Sequence, residues 1–222
     1  MASIPGLPDF SLGSIFCIGR NYPKHARELN NMVPDEPMVF LKPVSSVITS
    51  GETIQLPRQS QNVHHEVELV VVIGKKGRHI SHADAYSHIA AYGVGIDVTA
   101  RDLQQKAKKQ RHPWSVAKGF DTFAPISNFE RIKETTDLGN MELSLQVNGS
   151  YRQQGHTENM YFGINDIIAH LSSIFTLHPG DLIFTGTPEG VSQIKAGDSI
   201  RALLNDGEKK IELTANVRNE SA

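Results

Sequence analysis

The chain has 222 residues, 39% of them hydrophobic, which is enough to bury a substantial core. Its 22 basic and 24 acidic residues leave a formal charge of -2 with no Lys/Arg block, which argues against nucleic acid as a partner. Cys17 is the only cysteine, so an intrachain disulfide and any multi-cysteine zinc or iron-sulfur site are excluded. With no basic and apolar leader pattern and no apolar run of membrane-spanning length, the expectation is one soluble cytoplasmic domain over residues 1–222, with a short lead-in at 1–14 and no membrane partner.

In chain order, strands are expected at 14–18, 38–41, 53–56 and 67–73. Ser81 followed by Asp84, with Gly93 as a stop, predicts a helix near 82–92, and a strand at 93–98 follows it. The polar stretch 128–140 reads as a surface excursion. Alternation of Met141, Leu143, Leu145 and Val147 with polar residues predicts a strand that turns at Asn148-Gly149. Asn165 is expected to cap a helix over 166–175 with Ile167, Ile168, Leu171 and Ile174 on one stripe, ending near Pro179-Gly180. Strands at 182–185 and 199–204 complete the set, the second running into another turn at Asn205-Asp206-Gly207. The fold class is therefore α+β and β-rich.

Glu66 and Glu68 lie two apart in a stretch that otherwise reads as a buried strand, so both carboxylates project from one face. Buried together they repel and lose hydration, unless a cation compensates or one takes up a proton. A solvated strand face is the plainer explanation, but Asp97 ends the apolar run from Ala90 to Ile96 and supplies a third carboxylate. Three carboxylates suit Mg²⁺, Mn²⁺ or Ca²⁺. His64 and His65 are left outside this ligand set.

Pro23 can open a helix that places His25 and Glu28 on one face, either as a solvated pair or as a base oriented by a carboxylate. The segment Thr99 to Gln104, with Lys118 further on, could clamp an anion, whereas Lys106, Lys108 and Lys109 read as ordinary surface solvation. The turn Thr185-Gly186-Thr187-Pro188-Glu189-Gly190 could present a hydroxyl and backbone N-H groups to a ligand. Turn-formers at 30–35 permit motion of a lid comprising residues 22–35.

The segments Gly19-Arg20-Asn21-Tyr22, Phe40-Leu41-Lys42-Pro43, His64-His65-Glu66-Val67-Glu68-Leu69, Asp97-Val98-Thr99-Ala100-Arg101-Asp102 and Thr185-Gly186-Thr187-Pro188 occur in an order that resembles the fumarylacetoacetate hydrolase family. The short chain and the His25/Glu28 pair look most like its acylpyruvase and oxaloacetate tautomerase/decarboxylase branch. The resemblance implies a mixed β-sandwich roll of the family's C-terminal-domain type and a homodimer. It also implies Mg²⁺ or Mn²⁺ at Glu66, Glu68 and Asp97, with Ca²⁺ as a non-native occupant. His25, Glu28 and Lys118 would be catalytic, and Arg20, Arg101, Gln104 and Thr187 would bind a small 2-oxo acid.

Such a site would act through pyruvate enolate. Acylpyruvate hydrolysis is the leading expectation, because the His25/Glu28 pair suits activation of water. Oxaloacetate tautomerisation or decarboxylation is the first alternative, and isomerisation or decarboxylation of unsaturated oxo-diacids from aromatic breakdown is the second. The contrasting class is a non-catalytic Ca²⁺-binding β module.

Overall fold

The computed structural model describes residues 3–220. Two large sheets dominate it. The first orders its strands as Met38–Lys42, Ile15–Gly19, Leu182–Phe184, Val67–Ile73, Ile89–Ile96, Ala124–Ile126 and Val47–Thr49, with Glu130–Arg131 pairing off Ile89–Ile96. The second runs Ser150–His156, Glu142–Val147, Ser199–Asn205, Lys210–Asn219 and Thr53–Leu56. Both mix parallel and antiparallel pairs, and the chain has the β-rich α+β architecture expected of it.

The alternation read at 141–147 is an inside/outside pattern: Leu143, Leu145 and Val147 are buried and face the main core, joined there by Leu69, Val71, Val94 and Ile168. Val67–Ile73 is instead buried on both faces, which explains its unbroken apolar run. A smaller core packs Val70, Val72 and Phe184 beneath the N-terminal hairpin of Ser3–Ile4 and Leu7–Ser11. The expected lead-in thus contributes buried Ile4, Leu7 and Leu12. Gly95 permits this packing, because a Cβ there would stand 2.6 Å from the Phe184 ring and 2.7 Å from Val70.

Among the described residues, four α-helices decorate the sheets: α1 (Pro23–Glu28), α2 (Arg101–Gln110), α3 (Ser115–Lys118) and α4 (Ile164–Ile174). The helix expected at 82–92 does not form. Ser81 Oγ does receive the Asp84 N-H, but only one 3₁₀ turn follows, Ala85–His88. The chain then joins the sheet, with Tyr92 opposite Val71 and Ala91 opposite Val72, so ladder pairing overrides the local helix signal. In α4 the cap is Gly163, whose N-H reaches Asp166 Oδ2 at 3.0 Å, and not Asn165. Its buried stripe begins with Ile164 and excludes Ile174, which is 48% exposed. Among the described residues, no helix is long and apolar enough to cross a membrane.

Candidate active site

The sheet register assembles the acidic cluster. Val67 pairs with Ile96 and Glu68 with Gly95, while Glu66 occupies the break after the short strand Val63–His65 and accepts the Asp97 N-H at 2.8 Å. The three carboxylates are buried, and one oxygen from each lies within 4.8 Å of the others. Burial, together with repulsion from Asp97 and Glu66, pushes the Glu68 carboxyl well above the ordinary range. Burial works against charge on Glu66 as well, but Lys118 and Arg101 outweigh it and hold that carboxyl well below the usual value.

The donor set fits a divalent cation. Lys42 Nζ stands 2.7 Å from Asp97 Oδ1, yet it donates to the carbonyls of Val98, Lys118 and Phe123 at 3.1, 2.5 and 2.9 Å. An ammonium has three protons, so Asp97 Oδ1 feels its charge but accepts no hydrogen bond. A buried carboxylate oxygen left in this way, beside two more carboxylates, is a hard ligand suited to Mg²⁺ or Mn²⁺.

Lys118 is fully committed to the cluster: its Nζ reaches Asp97 Oδ2 at 2.5 Å, Thr99 Oγ1 at 2.7 Å and Glu66 Oε2 at 2.9 Å. Arg101 pairs with Glu66 Oε1 and donates to Gln104 Oε1 at 2.7 Å, while its buried Nε has no partner. Across the cavity, His25 is buried on α1 with Nδ1 3.2 Å from Glu28 Oε2. Glu28 also accepts the Gly190 N-H, at 3.1 and 3.3 Å. The hydrogen bond from His25 is the main influence lowering the Glu28 carboxyl, with Gly190 assisting against partial burial.

These groups surround one cavity. Glu66, Glu68, Asp97, Lys118, Arg101, Gln104, Arg20, His25 and Thr187 all line it, as do Leu29 and Asn31 from the segment expected to act as a lid. Glu28 does not, so it reaches the cavity only through His25. The cavity is small, about 30 Å³, and partly open to solvent. His64 and His65 stay outside the acidic cluster: His64 bonds to Asn62, and His65 lies between Gln153 and Ser192.

Lys108 corrects the sequence reading. Lys106 and Lys109 are exposed as expected, but Lys108 is half-buried, lines the cavity and lies 5.4 Å above the Trp114 ring. Burial first, then Arg20 and Arg101, lowers its pKa to about 8. Sequence periodicity missed it because α2 begins at Arg101, putting Arg101, Gln104 and Lys108 on one face at i, i+3 and i+7. Lys42 was also missed as a participant, although a lysine closing an apolar strand was a visible anomaly.

A curled, mixed β fold with a buried Glu-Glu-Asp cluster that could hold a divalent metal, beside a His-Glu pair, is a construction suited to an enzyme. Residues 14–218 match the fumarylacetoacetate hydrolase C-terminal model, and the chain belongs to that family. It is 50% identical over 188 residues to the mitochondrial oxaloacetate tautomerase FAHD1 of Arabidopsis thaliana, covering 85% of this chain and 84% of the relative. It is 47% identical to a mitochondrial oxaloacetate decarboxylase of Dictyostelium discoideum, covering 84% and 86%. A Pseudomonas aeruginosa fumarylpyruvate hydrolase, solved with Mn²⁺ and pyruvate, superposes with a TM-score of 0.89 at 37% identity, covering 98% of this chain and 95% of the other.

Proposed function

We propose that the protein is a Mg²⁺- or Mn²⁺-dependent enzyme of 2-oxo acids whose substrate is oxaloacetate, interconverting its enol and keto forms and releasing CO₂ more slowly. One observation carries the choice of a dicarboxylate. With Glu68 ionised, as a bound cation would require, the charges of Glu66, Glu68 and Asp97 are matched by Lys42, Arg101 and Lys118. Among the described residues, Arg20 and Lys108 line the same cavity without a carboxylate partner, Arg20 with a buried, unpaired Nε and a left-handed backbone (φ 59°). A divalent cation adds further positive charge, so the site favours a ligand with two negative ends.

Glu66, Glu68 and Asp97 would hold the cation, which when bound would supply positive charge for an oxyanion at the substrate's C2. The chain supplies the rest. His25, oriented by Glu28, takes the enol proton or returns one to C3, which converts one tautomer into the other without net loss of atoms. Arg20 and Lys108 hold the second carboxylate. Should the C3–C4 bond break instead, its electron pair forms the C2=C3 enolate, CO₂ departs, and His25 protonates C3 to give pyruvate.

Acylpyruvate hydrolysis is the second reading, favoured by the same His25/Glu28 pair acting on water and by the fumarylpyruvate hydrolase neighbour. A panel with Mg²⁺ separates the two. The decay of enol-oxaloacetate absorbance is expected to accelerate, with kcat/KM for acetylpyruvate cleavage lower by at least about tenfold, the worth of one charge-assisted contact. A larger kcat/KM for acetylpyruvate would make the protein a hydrolase. The protein would act as a homodimer in the cytoplasm, with the mitochondrion as the alternative suggested by the named relatives.

Lys108 gives the site a pH dependence. Its folded pKa, about 8, lies below the usual 10.5, so between those values it is neutral in the free protein and charged in the unfolded chain. Affinity for a dicarboxylate should fall as pH rises through about 8, and binding in that window should take up a proton. Calorimetry with oxaloacetate analogues in buffers of different ionisation enthalpy measures both effects. Lys108→Met is expected to bind weakly and evenly across pH 7 to 10, whereas Lys108→Arg should bind without the decline; a decline that persists in Lys108→Met would assign it elsewhere.

A further inference from the structure

We propose that Gln153 and His65 are positioning residues that fix the Thr187 hydroxyl as a hydrogen-bond donor to the carboxylate of a bound 2-oxo acid. This rests on the 2-oxo acid reading of the site. Gln153 is buried on the strand Ser150–His156, and two backbone groups dictate its orientation. Its Oε1 accepts the Val67 N-H at 3.0 Å, and its Nε2 donates to the Pro188 carbonyl at 2.8 Å. Flipping the amide would set donor against donor and acceptor against acceptor.

With the amide fixed, every neighbouring proton is assigned. The second Nε2 proton goes to Thr187 Oγ1 at 2.8 Å, so that oxygen accepts. The second lone pair of Oε1 lies 2.8 Å from His65 Nδ1, which must therefore carry the proton. His65 Nε2 is then an acceptor, and Ser192 Oγ, 2.8 Å away, donates to it. The links run in one direction, from Ser192 through His65 and Gln153 to Thr187. Thr187 is buried, lines the cavity with Glu66 and Glu68, and its hydroxyl has no further partner among the described residues. Its proton is directed at whatever occupies the cavity, and donors in series strengthen one another. A carboxylate oxygen is the complementary group. Were the amide reversed, the hydroxyl would spend its proton on Gln153 and turn lone pairs toward an anion.

Oxalate, a nonreactive 2-oxo acid mimic, tests this by calorimetry with Mg²⁺-loaded protein, thermal unfolding being followed alongside. Thr187→Val and Gln153→Met should each raise the oxalate Kd about tenfold, the worth of a hydrogen bond to a charged group. The double variant should be no weaker than either single one, because one donor is lost in all three. His65 supplies a second route if Gln153→Met folds poorly. Asn places an amide N-H near the position of Nδ1, so His65→Asn should stay within about twofold of wild type, while His65→Leu should weaken oxalate about fivefold or more. Space-filling alone predicts no such split.

Wild-type protein that fails to bind oxalate would overturn the 2-oxo acid reading itself. Normal wild-type binding with Thr187→Val unchanged would overturn only the donor chain. So would Gln153→Met losses that multiply with those of Thr187→Val, or equal affinities in the two His65 variants.

Discussion

Glu28→Gln is expected to lower kcat by about 10²- to 10³-fold while Mg²⁺ affinity persists, in line with the loss of a general acid-base partner. The side chain keeps its size, and Gln can still meet the Gly190 N-H, so the change removes charge more than shape. What fails is the contact that orients His25: without the carboxylate 3.2 Å away, the imidazole loses the partner that fixes its ring and tautomer. Because Glu28 does not line the cavity, KM should change far less than kcat. Steady-state kinetics on enol-oxaloacetate, paired with Mg²⁺ calorimetry, reads both quantities. Turnover within about twofold of wild type would remove Glu28 from the mechanism, and with it the argument for an oriented His25.

Glu68→Ala should produce the opposite split. In the metal-free protein Glu68 is a buried carboxyl set against Asp97 and Glu66, and its raised pKa registers that conflict. Treated with chelator, the Ala variant sheds this conflict but loses the acceptor of the Gly186 N-H at 2.7 Å, so its Tm should gain on that of wild type as the pH rises above the ordinary carboxylate range, where the unfolded wild-type chain ionises Glu68 and the folded one resists. Adding Mg²⁺ should favour wild type alone. At 100 times Kd a bound ion stabilises by about 2.7 kcal/mol, which raises the wild-type Tm by about 5 to 10 °C for a chain of this size. That increment should vanish in Glu68→Ala at the same Mg²⁺ concentration. A Glu68→Ala protein that shows the full increment would refute Glu68 as a ligand. If Ca²⁺ stabilised wild type as well as Mg²⁺ and neither wild type nor Glu28→Gln turned over any 2-oxo acid, the non-catalytic β module would be the better account.

Features written into local periodicity were legible before any coordinates. Glu66 and Glu68 are two apart on extended chain, and Pro23 starts α1, so the carboxylate pair and the His25/Glu28 contact were both within reach of sequence. The turns at Asn148-Gly149 and Asn205-Asp206-Gly207 do join antiparallel partners. Residues 85–92 were misread because Ser81 and Asp84 carry a real turn signal, whereas the partner that captures Ala91 and Tyr92 lies on Val67–Ile73, which a local reading does not see. Lys42 and Gln153 eluded sequence for a related reason. Their partners are mostly backbone carbonyls and N-H groups brought from distant segments, and such groups leave no mark in the identity of the residues that bear them.

The Lys42 ammonium bears on how the protein comes to be active. The three carbonyls it holds lie 56, 76 and 81 residues along the chain from it. Bringing such remote segments together is the slow part of folding, since loop closure must precede the reward of contact. Asp97 acquires the Lys42 charge beside its Oδ1 only when that closure is complete. Catalytic competence should thus be among the last properties to mature during refolding and should disappear with the global unfolding transition, leaving no partly folded chain able to do the chemistry.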